Sequence, residues 1–154
     1  MRSRHPALAA LAFALALSAC AGGTRQAAGP APSGIVATAP ASAVEQFLGF
    51  AGQARYIEMG HVFGTVRGPI SEQQEPARVA RRMEALASVL RNDEYSMTGV
   101  VPVAGRPEAR RVTVQLRQGR RTIQVPFVVV QAPGGRWLVE VVDVESALEV
   151  QLRG

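Results

Sequence analysis

A chain of 154 residues with 47% apolar and 19% charged side chains is sized for one folded domain and is too apolar to be disordered throughout. Its formal charge of +5 comes from seventeen arginines, with no lysine, set against twelve acidic residues. The two signs interleave, which argues against a nucleic-acid footprint, and a single cysteine excludes an internal disulfide or a thiolate metal cluster.

The chain opens with Arg2 and Arg4, runs through an Ala/Leu/Phe stretch from Ala7 to Ala16, and reaches Leu17-Ser18-Ala19-Cys20. Basic, apolar, then small is the order of a secretory leader, and the apolar stretch is shorter than the roughly twenty residues that span a bilayer. Leu17-Ser18-Ala19-Cys20 resembles the lipobox of bacterial lipoproteins. The resemblance implies a diacylglyceryl group on the Cys20 thiol, then cleavage after Ala19 that leaves Cys20 as the new N-terminus, with palmitate as a further acyl chain, and a membrane anchor in the cell envelope. Each buried methylene adds about 0.8 kcal/mol, so two or more chains hold firmly. Ala21 after the cysteine leans towards the outer membrane in a host that has one. Removal of the leader leaves fifteen basic residues, a modest excess.

Residues 20–41 are mostly Ala, Gly, Pro, Ser and Thr, with Ile35 and Val36 as the large apolar residues, and read as a flexible tether. As a coil of about twenty residues it spans on the order of 25 Å. The division is therefore leader 1–19, tether 20–41 and domain 42–150.

Ser42-Ala43-Val44-Glu45 has the form of a capping box and predicts a helix beginning there, with Val44, Phe47, Leu48 and Ala51 on one face. A second short helix is expected over Tyr56 to Phe63, followed by a Gly/Pro loop from Gly64 to Pro69. Pro76 to Leu90 is the clearest helix. Its Val79, Met83, Leu86 and Leu90 make a core stripe, opposite Arg78, Arg81, Arg82 and Arg91. After Asn92-Asp93 the period becomes two. Tyr95 to Val101, Val112 to Arg117, Thr122 to Gln131 and Trp137 to Val144 predict four antiparallel strands in a meander, with Gln118-Gly119 and Ala132-Pro133-Gly134-Gly135 as turns. The run Val125 to Val130 reads as buried on both faces. The expected class is α+β, with N-terminal helices packed on a curved antiparallel sheet.

Helices first, then a meander closing on Gly134-Gly135-Arg136-Trp137-Leu138-Val139-Glu140-Val141-Val142-Asp143, resembles the NTF2-like, SnoaL-like superfamily of α+β cones. The resemblance covers about Ser42 to Leu148. It implies a sheet wrapped round helices and a pocket at the wide end that holds a ligand, a substrate or a protein partner. The early hairpin often found between the helices in that superfamily is not evident as a motif; if present it lies within His61 to Ile70.

Within such a cone Tyr56, His61, Trp137 and Asp143 are the candidate pocket residues. His61, the one histidine after the leader, reads either as a base near neutral pH or as an exposed residue at a helix end. Asp143 lines a pocket or marks where the last strand leaves the core, Trp137 anchors the core or stacks a ligand, and Asp93-Glu94 makes a helix-to-strand turn. Arg110, Arg111, Arg117, Arg120, Arg121 and Arg136 gather near hairpin ends, as a basic rim or as charges that keep strand edges soluble. No catalytic residue, metal-ligand spacing or cofactor motif stands out. The expectation is a lipid-anchored, non-enzymatic module binding a protein or small ligand, possible oligomers included; the alternative is a periplasmic enzyme using the cone pocket.

Overall fold

The computed structural model describes residues 36–145; Cys20, the expected leader, the part of the expected tether up to residue 35 and residues 146–154 lie outside the described part. Among the described residues three helices precede a four-stranded antiparallel sheet. They are α1 (Pro40–Gly52), α2 (Tyr56–Val62) and α3 (Pro76–Val89), and the sheet is built from β3 (Glu94–Val103), β4 (Arg106–Gln118), β5 (Arg121–Gln131) and β6 (Trp137–Val142) in sequential order. Between α2 and α3 lies a two-stranded hairpin, β1 (Gly64–Thr65) and β2 (Gly68–Pro69), where the sequence suggested a loop. It escaped the sequence reading because two-residue strands carry no alternation to detect.

The helix α1 starts at Pro40, whose missing N–H costs nothing in the first turn, and Ala39 precedes it without any side-chain cap. Ser42 therefore falls inside the first turn, and the capping box is not used. The chain joins the fold earlier still. Ala37 is buried and forms an antiparallel bridge with Trp137, whose N–H donates to the Ala37 carbonyl at 2.8 Å. The other end of α1 is a Schellman turn: Arg55 N–H donates to Phe50 O at 2.9 Å and Ala54 N–H to Ala51 O at 3.1 Å. Ala54 takes the left-handed position at φ 55°, a place usually given to glycine. The Arg55 guanidinium covers the Phe50 ring at 4.9 Å.

Packing follows the apolar spacing. The helix α1 crosses the sheet and touches all four strands, while α2 packs on α1 and α3 packs mainly on α2. Phe47 is the hub, with its ring 5.8 Å from Phe63 and 6.3 Å from Phe127, the latter edge-on. Met59, Val79, Met83 and Leu90 fill the space between helices, and Val112, Val114, Leu116, Ile123 and Val125 supply the sheet side. Full burial of each such side chain is worth about 1.5–3 kcal/mol. Gly60 lets α2 and α3 approach closely, since a Cβ there would collide with Val79.

Three register shifts interrupt the sheet. Two lie on β3, between Met97 and Gly99 and between Pro102 and Val103, and the third, a bulge, where Val128 and Val129 of β5 pair with Val141 and Val139 of β6. Val139 is fully buried against the helices, whereas Val141 pairs with Val128 on the other side of the sheet and is 47% exposed. The predicted two-sided burial of Val125 to Val130 holds only in part: Pro126 and Val128 are half-buried. At one end the outer side does bury a small cluster of Ala109, Val130, Ala132 and Leu138, with Val103 and Val128 against it. Arg106 ties that end together, donating to Glu140 through both terminal nitrogens at 2.7 and 3.2 Å and to Glu108 through Nε at 3.1 Å.

Candidate functional site

The four candidate pocket residues take separate positions. Tyr56 is the first residue of α2, half-buried against the core, and His61 is in the last turn of the same helix. Five positions on a helix put them about 140° apart in direction, so they do not share a face. Trp137 begins β6 and is buried, while Asp143 follows the end of that strand, about 20 Å away along it. The bulge breaks the alternation that would have carried Asp143 onto the face of Trp137 and Val139. Its N–H donates to Pro126 O at 2.9 Å, so the chain is still held to β5 as it leaves the sheet.

Each candidate has a local task. His61 Nδ1 lies 2.9 Å from Ser71 Oγ, a half-buried bond that ties α2 to the 3-10 turn Ile70–Glu72. The distance is also one at which a histidine activates a serine. Trp137 lies under the Arg110 guanidinium, 5.9 Å from the ring centre, which is the geometry of a covered core anchor. Asp93 accepts from Gly119 N–H at 2.7 Å and closes the β4–β5 turn, where Gly119 at φ 61° takes a conformation few other residues tolerate. Glu94 pairs with Arg117 at 3.1 Å. Tyr95 is half-buried on β3, and burial, with Glu45 nearby, raises its phenol above the usual range.

Open depressions on the described surface include one of about 410 Å³ beside Glu72, Gln73, Gln74, Glu75 and Arg78, and one of about 260 Å³ beside Arg91, Asn92, Asp93, Gln118 and Gly119. None of the four candidates lines either. Among the described residues no three His, Cys, Asp or Glu side chains gather as metal ligands.

A different constellation emerges from the register. Val101 is directly opposite Arg111, Arg111 opposite Val128, and Val128 opposite Val141, so four residues form one row across all four strands. Arg111 neighbours the fully buried Val112 on β4, which fixes the row on the side away from the helices. Val101 is 50% exposed and Val141 47%. The next row towards the β4–β5 turn, Gly99, Thr113 and Pro126, is small or apolar too. The outer side of the sheet thus carries an apolar band around one exposed arginine. Sequence alternation places Arg111 outward, but the band depends on these register shifts and a cross-strand register that no local pattern specifies.

The described residues define an α+β domain with its helices on one side of an antiparallel sheet and a partly apolar band on the other. No protein-family model, curated protein or solved structure significantly matches the chain.

Proposed function

We propose that this protein is a lipid-anchored lipoprotein of the bacterial cell envelope, with an NTF2-like domain that binds a protein partner through the outer side of its sheet. The anchor reading rests on Leu17-Ser18-Ala19-Cys20 behind a basic and apolar leader. The binding reading rests on one observation, the row Val101, Arg111, Val128 and Val141, whose two end valines are half-exposed. Apolar side chains around a single arginine make the core-and-anchor composition of a recognition surface. The NTF2-like fold is supported by helices first, a meander, a terminal Trp strand and the small hairpin β1–β2 between helices.

Metabolic labelling with an alkynyl fatty acid tests the anchor: the chain takes the label and Cys20→Ser loses it. For the surface, a photo-crosslinking residue at position 111, in cells, gives one adduct of defined size, while the same residue at position 78 on α3 gives none. Val141→Asp abolishes the adduct, and Tyr56→Phe, His61→Gln and Asp143→Asn leave it. Absence of any adduct at 111 overturns the binding reading. The 2.9 Å His61–Ser71 pair favours the alternative, an envelope enzyme. A Ser71 that reacts with a fluorophosphonate, in a manner lost with His61→Gln, replaces the binding reading with that one.

A further inference from the structure

The arginines on the outer side of the sheet are not equivalent. Arg106 is bonded to Glu140 and Glu108, and Arg117 to Glu94 with Asp93 beside it. Arg111 stands between them on β4, exposed, and meets no carboxylate among the described residues. Around it the row of Val101, Val128 and Val141 is uncovered, with both end valines half-exposed. The helix side of the sheet already has its cover, since α1 crosses all four strands.

The chain leaves β6 beside this row. Asp143 N–H is still held by Pro126 O at 2.9 Å, and Val144 and Glu145 already have helical backbone. From there the sequence carries the pattern onward. Val144, Ala147, Leu148 and Leu152 recur at three- and four-residue spacing and predict a helix with one apolar face, bordered on one side by Glu145 and Glu149. The lengths agree: a helix from Val144 to Leu152 covers about 13 Å, and the three strand spacings from β6 to β3 come to about 14 Å. Arg111, two strands in from β6, is then within side-chain reach of Glu149. We infer that residues 144–152 lie as a helix across the outer row, with Leu148 and Leu152 over the valines and Glu149 facing Arg111. The seat is a contact of the chain with itself. A protein that takes the band must therefore displace it; this competition, unlike the seat, rests on the binding reading proposed above.

The test is mild oxidation of cysteine pairs in the full chain, in detergent and dilute enough that molecules seldom meet. Val101→Cys with Leu152→Cys forms an intramolecular disulfide, read by mass spectrometry as a linked pair of peptides. Val100→Cys with Leu152→Cys, one residue away on β3 but on the helix side, forms it at least about tenfold more slowly. Each single-cysteine variant is the blank for Cys20. Arg111→Glu slows the first pair about two- to fivefold and adding Glu149→Arg restores it, while the melt of Arg111→Glu, followed by circular dichroism, stays that of a folded domain. Equal rates for the two pairs overturn the seat, as does a first pair that is indifferent to Arg111→Glu or links only between molecules. For the competition, Leu148→Asp raises the yield of the cellular adduct at position 111 at least about threefold; an unchanged yield overturns it. An intramolecular disulfide without any cellular adduct keeps the seat and removes the binding reading, whereas an adduct without that disulfide removes the seat alone.

Discussion

Ala54 shows how a single residue can hold an unfavourable conformation because its neighbours require it. The Schellman bonds from Arg55 and Ala54, and the guanidinium over Phe50, fix the turn between α1 and α2, and Ala54 bears the cost at φ 55°. A left-handed alanine costs about 1–2 kcal/mol, part of which glycine returns as unfolded-state entropy. Ala54→Gly should therefore stabilise the domain by about 0.5–1 kcal/mol, seen as a melting temperature a few degrees higher. Tyr95 makes a second prediction at this scale. Burial first, and Glu45 second, raise its phenol above the usual value. The folded state then holds the proton more tightly than the unfolded one. This contribution to stability is fully present below about pH 10, the ordinary tyrosine value, and is lost as pH rises through the folded value. Ultraviolet titration of Tyr56→Phe, which leaves Tyr95 as the sole tyrosine, should show phenolate forming later than in the unfolded chain. Adding Glu45→Gln should remove only the smaller part of that delay.

Among the elements, α2 and α3 meet so closely at Gly60 that an added Cβ would overlap Val79. Gly60 was visible in the sequence only as a glycine near a helix end, since the residue it must avoid, Val79, belongs to another helix. Gly60→Ala gains helix propensity but overlaps a stiff, branched side chain, for a net loss of about 1–2 kcal/mol by urea unfolding. In a Val79→Ala background the same change should cost nothing or stabilise, a coupling that a double-mutant cycle reads directly. The clamp of Arg106 on Glu140 and Glu108 belongs to this scale too. Its partners are 34 and 2 residues away in sequence, so only the folded β3–β4 and β6 strands reveal it. Arg106→Lys cannot keep both terminal contacts with Glu140. Hydrogen exchange should rise at the β3–β4 tip and at Leu138 while leaving α1 unchanged.

At the scale of the molecule, periodicity in the sequence was enough for the three helices, the four strands and their α+β class. Helical spacing of Val79, Met83 and Leu90, and alternation along Val112 to Arg117, are local signals. What escaped is non-local. The first turn of α1 followed Pro40 rather than the Ser42 capping pattern, the chain joined the fold at Ala37, and a bulge turned Val141 outward. The candidate pocket residues have pocket chemistry in common, but the register distributes them. The row Val101, Arg111, Val128 and Val141 needs three strand pairings to exist at all. Phe127 reports the integrity of the whole assembly, being fully buried edge-on to Phe47. Phe127→Ala should cost about 3–5 kcal/mol, a large share of the roughly 5–15 kcal/mol that holds a domain folded, and should lower the urea midpoint without changing the slope.

The single bridge between Ala37 and Trp137 also decides how the domain answers a pull. Any load transmitted through the chain before Val36 reaches that one backbone hydrogen bond, at 2.8 Å, before it reaches Pro40 and the helix wedged against the sheet. One such bond is worth about 1 kcal/mol. It yields while the Phe47 core is still intact, and residues 37–39 are then freed, about 10 Å of fully extended chain. The attachment behaves as a mechanical fuse: it lengthens first, and spares the fold.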